Sequence, residues 1–261
     1  MAIITLTTDF GLGSPYVAAM KGVILSINPA ATLVDITHAI PAQDVGRGAL
    51  VLADTTPWFP EDTVHLAVVD PGVGSARAIL YARIGLQQYI APDNGLLGRL
   101  MARTAPSAVV RLAEPEYWLP TVSRTFQGRD IMAPVAARLS LGLDPRRLGP
   151  PAGLTARLDW PEPRVADQKV RGEVLQIDSF GNLITNISAD LLAGRPTDTR
   201  ACVVCGIYET FGIFRTYAEQ GQGTLVALVG STNHLELAIV GENAAARLGV
   251  SVGTPVVVAW E

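Results

Sequence analysis

Short apolar runs alternate with stretches of helical spacing through the first half of the chain. Residues 3–7 read as a first strand, and 15–27 as a helix opened by Pro15 and closed at Asn28-Pro29. Strand patterns recur at 32–36 and 63–69, with helical spacing at 44–55 between them. Residues 78–83 and 88–91 read as a strand pair, 96–104 as a helix, 108–111 as a short strand and 129–141 as a helix. Alternation of this kind predicts an α/β domain with a largely parallel sheet covered by helices.

The pattern dissolves at residues 144–171, where Pro145, Pro150, Pro151, Pro161 and Pro163 punctuate an aperiodic, charged stretch. Beyond it lie short β-type runs at 172–178, 183–187, 201–204, 207–208, 224–229, 235–239 and 255–259. Only 243–248 has helical spacing there. The expected division is an α/β domain over 1–150, a Pro-rich linker over 151–171, and a smaller antiparallel β domain over 172–261, a barrel or a sandwich.

Composition agrees with a well-buried globular chain: 261 residues, 49% hydrophobic and 17% charged. A net charge of −4 with no basic run argues against a nucleic-acid partner. The first residues lack a basic stretch followed by a long apolar core, and no apolar run approaches the roughly 20 residues of a membrane span. A soluble, cytoplasmic protein without a membrane partner is the expectation. Cys202 and Cys205 form a single Cys-Val-Val-Cys pair with no second pair or nearby histidine to complete a metal site. On a strand they would point to opposite faces, as thiols of the core. His38, His65 and His234 are too scattered for a metal triad, and His65 reads as a core residue within a strand.

Polar residues interrupt this frame at strand ends. Leu66-Ala-Val-Val-Asp70 runs into Pro-Gly-Val-Gly and then Arg77, so a buried strand delivers a carboxylate to its carboxyl end with an arginine near enough to pair. Thr7-Thr8-Asp9-Phe10-Gly11 follows the first strand, with Ser14 and Tyr16 beyond it. A carboxylate there can accept two hydroxyls of a ribose, or simply cap a helix. Its Asp-Phe-Gly triplet lacks the other kinase motifs. Thr125-Phe126-Gln127-Gly128-Arg129-Asp130 precedes a helix, and Asp93-Asn94-Gly95 reads as turn chemistry. In the second half, Asp178, Phe180, Asn182 and Asn186 offer an aromatic face with amide and carboxylate groups, suited to a purine. Gly230-Ser231-Thr232-Asn233 is a further polar turn.

Taken together, the segments TTDFG with PYVAAMKG, VDPGVGSAR, APDNGLL, TFQGRDIMAPVAA, IDSFGNLITNI and GSTNHLELA resemble the S-adenosylmethionine (SAM) hydroxide adenosyltransferases, relatives of the fluorinase and chlorinase enzymes. The resemblance runs in order from Thr7 to Ala238. It implies an N-terminal α/β/α domain, a C-terminal β-barrel, and a homotrimer with sites at subunit interfaces. The implied reaction is hydrolysis of SAM, as substrate and not cofactor, to adenosine and methionine by attack of water at the ribose 5′ carbon. No other cofactor and no metal is implied. By resemblance Asp9 binds the ribose diol, with Ser14 and Tyr16 beside it. Asp178, Phe180, Asn182 and Ser231 contact adenosine or methionine, and Asp70 and Arg77 handle the water.

Three positions depart from the family pattern. The hydrolases carry TFHGRD where this chain has Gln127, which can hold water but cannot titrate. Ser14 stands where many relatives have an acidic residue, and Thr232 where the halogenases carry arginine. Gln127 keeps open the alternative of a catalytically weak SAM- or adenosine-binding protein. A halide-using relative fits less well, because Asp70 and Arg77 are the hydrolase pair.

Overall fold

The structure, a computed structural model, describes residues 2–153 and 155–260. It divides into two compact units, Met1–Leu158 and Asp159–Glu261.

The first unit carries β1 (Ile3–Thr8), α1 (Tyr16–Ile27), β2 (Thr32–Thr37), α2 (Val45–Thr55), β3 (Val64–Val68), β4 (Ile79–Ile84), β5 (Gln87–Pro92), α3 (Gly98–Arg103), β6 (Pro106–Arg111) and α4 (Ala133–Ser140). Its sheet has the order β2-β1-β3-β5-β4-β6. The β2, β1, β3 and β5 pairings are parallel, while β4 pairs antiparallel with both β5 and β6. Every residue of β3 is buried, as a strand covered on both faces requires. Its side chains alternate between two cores. Leu66 and Val68 join Ile4, Leu6, Met20 and Val135 under α1 and α4. Ala67 and Val69 join Leu52, Ala53, Leu96 and Leu100 under α2 and α3. An α/β/α layering follows.

The helix expected over 129–141 is modified at its start. Gly128–Met132 forms a widened π turn, and regular helix begins only at Ala133. Buried Asp130 lies in this turn, accepting hydrogen bonds from Arg129 Nε (2.6 Å), Arg129 Nη2 (3.0 Å) and the Ser123 amide (2.8 Å). π turns of this kind concentrate at functional sites.

The second unit carries β7 (Arg164–Ala166), β8 (Lys169–Ile177), β9 (Leu183–Ser188), α5 (Ala189–Leu192), β10 (Ala201–Cys205), β11 (Tyr208–Phe211), β12 (Ile213–Phe214), β13 (Leu225–Val229), β14 (His234–Ile239), α6 (Ala244–Leu248) and β15 (Pro255–Trp260). The order is β11-β10-β15-β8-β9-β14-β13-β12, with β7 on β8. All pairs are antiparallel except β12 with β13. Thr210 Oγ1 donates to the Leu225 carbonyl (2.8 Å) and links β11 to β13, so the sheet nearly closes into a barrel. Cys202 and Cys205 point to opposite faces of β10, as expected, and no disulfide joins them. Only Cys205 belongs to the core, however, which corrects the expectation for Cys202. Burial pushes the Cys205 thiol up to about 11.

Candidate functional site

β1 lies between β2 and β3, the point where successive parallel strands are added on opposite sides. Clefts open outside the carboxyl ends of strands at such a switch point. Thr8 pairs with Val68 in the β1–β3 register, which places Asp9 and Asp70 just beyond neighbouring strand ends.

Arg77 reaches back over its loop to Asp70. Its Nε donates to Asp70 Oδ1 (2.8 Å) and its Nη2 to Asp70 Oδ2. The two side chains are only 10% and 5% exposed, so the pair is held in a poorly solvated place. Nη2 also donates to Gln127 Oε1 at 2.6 Å. A guanidinium offers donors only, which fixes the amide: Oε1 faces Arg77 and Nε2 faces away. The Pro-Gly-Val-Gly loop meets the loop bearing Gln127 at Gly74. There φ is +81°, and a Cβ would stand 2.7 Å from the Arg124 carbonyl.

Asn94 supports this arrangement from below. Its Nδ2 donates to the Val69 carbonyl (2.8 Å), which fixes the residue before Asp70, and its Oδ1 accepts from the Leu96 amide. The Asp93-Asn94-Gly95 stretch therefore does more than turn the chain. Buried Asp93 also accepts from Thr155 and Ala156.

Asp9 accepts from the Gln43 amide through Oδ2 (2.8 Å), leaving Oδ1 without a protein donor among the described residues. Its loop is anchored on both sides by His38, whose carbonyl accepts from Gly11 and whose Nδ1 lies 3.0 Å from Thr8 Oγ1. Ser14 Oγ accepts from the Tyr16 amide at 3.3 Å, a local turn contact. Tyr16 joins Phe10 and Phe126 in a three-ring, edge-to-face cluster with centroids 5.0–5.9 Å apart. That cluster ties the Asp9 loop to the residue preceding Gln127.

The second unit has its own cleft, about 1040 Å³ in volume and lined by Asp178, Phe180, Asn182 and Ser231, among others. Asp178 Oδ1 accepts from the Phe180 amide (2.9 Å) and the Asn182 amide (2.8 Å), and Oδ2 accepts from Asn182 Nδ2 (3.1 Å). Asp178 and Asn182 thus lock each other in one turn. That turn presents the Phe180 ring 75% exposed at the cleft edge, a face available for stacking. Asn186 is spent elsewhere, on the Glu173 amide and the Pro161 carbonyl. It does not line this cleft.

The chain matches the SAM hydroxide adenosyltransferase N-terminal domain over residues 4–149 and the C-terminal domain of that family over residues 172–257. This protein belongs to the SAM hydroxide adenosyltransferase family. It is 40% identical to a Thermus thermophilus protein named (R)-S-adenosyl-L-methionine hydrolase, over 95% of this chain and 96% of that one. A fluorinase from Nocardia brasiliensis is 29% identical over 90% of this chain and 89% of the relative. The crystal structure of an uncharacterized conserved protein from Thermotoga maritima superposes with a TM-score of 0.93 at 34% identity, covering 98% of this chain and 99% of that one.

For this family member, the residue pattern pointed to an Asp70–Arg77 pair and the resemblance grouped Gln127 with it; the structure brings the three side chains together. Sequence reasoning missed the structural roles of Asn94 and Asp130. It also passed over Glu236, a charged residue within the otherwise apolar Leu235–Ile239 run of β14 that lines the cleft of the second unit. Among the described residues, no helix is long and apolar enough to cross a membrane.

Proposed function

We propose that this protein hydrolyses S-adenosyl-L-methionine to adenosine and L-methionine, acting on the R sulfonium epimer that the hydrolase relatives' names specify. The observation that carries the reading is the Asp70–Arg77–Gln127 constellation at the switch point of the first sheet.

Attack at the ribose 5′ carbon expels a neutral thioether from a sulfonium, so the leaving group needs no general acid. The site must instead hold a water in line and favour its hydroxide-like state. Arg77 supplies positive charge beside that oxygen but stays protonated throughout. Asp70 has each oxygen engaged by one guanidinium N–H, and each keeps a lone pair with which to accept from water. Gln127 turns its Nε2 away from Arg77 and donates to the oxygen. It takes no proton, so removal of the water's proton falls to Asp70 or to solvent. Asp9 Oδ1 accepts a ribose hydroxyl, and Phe180 stacks on the adenine, with Asn182 at its edge and Ser231 toward the methionine part of the substrate. In this reading the protein is a homotrimer in which sites form at subunit interfaces, and sedimentation should give three chains per particle.

Incubation with each sulfonium epimer, followed by chromatography, tests the substrate. Equal amounts of adenosine and methionine from the R epimer support the reading, and no adenosine above the spontaneous background contradicts it. The non-titrating Gln127 favours one second reading, a SAM- or adenosine-binding protein with negligible turnover. Tight calorimetric binding without adenosine formation would select it.

A further inference from the structure

The floor of the cleft in the second unit holds a carboxylate that the proposed reaction does not use. Glu236 sits in the middle of β14, where its neighbours Leu235 and Leu237 point into the barrel core. Glu236 points the other way, to the face where Leu228, Ala238 and Val226 form a small apolar cluster, and it lines the cleft. It is 6% exposed. Oε1 accepts from the Tyr217 hydroxyl at 2.5 Å, and Oε2 takes no hydrogen bond from any described residue. Gly230 leaves that oxygen room: a Cβ there would stand 2.5 Å from Oε2. The unshared oxygen therefore lies against the Gly230–Ser231 turn, next to a residue already expected to touch substrate.

A buried carboxylate is normally paired with a cation or lost to protonation. Here the partner found among the described residues is a neutral phenol. Burial and the nearby Asp178 charge push the Glu236 carboxyl up, and the Tyr217 hydroxyl bond only partly offsets them. The other charges around the cleft do not satisfy Glu236. Glu242 is held by Arg247 (2.5 Å), and Asp178 is closed within its own turn. Arg215 is exposed and makes no ion pair with Glu236.

We propose that Glu236 is a binding residue for the ammonium group of an amino-acid-bearing ligand, with Tyr217 holding its carboxylate in place. The inference rests on the SAM reading above and specifies which part of that molecule the cleft floor takes. An ammonium supplies the cation and the N–H donors that Oε2 lacks, whereas a sulfonium has no proton to give. One consequence bears on turnover. Adenosine carries no ammonium, so it gains nothing from Glu236 once methionine has been cleaved away, and the site favours substrate over this product.

The test is a protein–ligand cycle read by calorimetry. Wild type and Glu236→Gln are each titrated with SAM, S-adenosyl-L-homocysteine, the desamino counterpart of that thioether, and adenosine. The expected result is at least ~10-fold weaker binding of the two ammonium-bearing ligands to Glu236→Gln, with desamino ligand and adenosine changed less than about twofold. On wild type alone, removing the amino group should cost a similar factor, which keeps the test decisive if the variant does not fold. Tyr217→Phe should retain most of the preference, because the charge remains. Equal weakening of all ligands, or no preference for the amino group in wild type, overturns the inference while leaving hydrolysis to stand. Failure of wild type to bind any of the four overturns both.

Discussion

Arg77 Nη2 donates to Gln127 Oε1 across 2.6 Å while the same guanidinium grips Asp70. One arginine thus gathers the residue that departs from the hydrolase pattern and the residue that conforms to it. Gln127 serves as a donor and brings no titratable group to the centre. Between about pH 5.5 and 8, kcat/KM should show no inflection from this position. Gln127→His introduces an imidazole beside Arg77, whose like charge lowers its pKa below the usual ~6.5. The variant should lose activity as pH falls through that value, because the protonated ring can no longer accept from Arg77 and repels it. A pH–rate profile of both proteins checks this, and identical profiles would count against a role at the nucleophile.

Arg77→Lys keeps the charge but loses the fork that engages both Asp70 oxygens and Gln127. The expected loss in kcat is on the order of 10²-fold or more, with a smaller change in ligand affinity. Asp70→Ala should also destabilise the fold by roughly 3 kcal/mol, since it strands a mostly buried guanidinium. Denaturant unfolding of the two variants separates these effects. Full activity in Arg77→Lys would show that charge alone suffices.

Asn94→Ala removes the donor to the Val69 carbonyl. Leaving that acceptor unpaired should cost about 1–3 kcal/mol of stability. Because Asp70 is the next residue, kcat should fall more than KM rises. A variant that loses stability but keeps its kcat would limit Asn94 to scaffolding.

Much of this architecture was legible in the residue pattern, for a physical reason. Strands such as β3 are buried on both faces and therefore stand out as unbroken apolar runs, and their ends mark where Asp9 and Asp70 emerge. β7 has all three residues exposed and β12 has only two residues, so neither leaves a periodic trace. Contacts between distant loops were equally silent. Asn94 reads as turn chemistry until its amide is seen on Val69, and Asp130 reads as helix start until its oxygens are seen on Arg129 and Ser123.

His65 predicts a pH dependence of stability remote from the site. It is fully buried, stacked on Tyr89 at 4.9 Å and hydrogen-bonded through Nδ1 to Thr5 Oγ1 (2.7 Å). Burial lowers its pKa to about 4. Between that value and the unfolded ~6.5, the unfolded chain binds a proton that the folded chain refuses. Stability should therefore fall as pH drops from about 6.5 to 4, by up to ~3 kcal/mol from this residue, and stay flat above. Thermal melts against pH should show a shallower slope for His65→Gln. An unchanged slope would exclude His65 as the source.

The most direct test of the central claim is hydrolysis in ¹⁸O-labelled water, with the product nucleoside analysed by mass spectrometry. Attack at the ribose 5′ carbon predicts one ¹⁸O in the 5′ hydroxyl of adenosine, formed at a rate that collapses in Arg77→Lys. Unlabelled adenosine, or none above the spontaneous background at high protein concentration, would contradict the account.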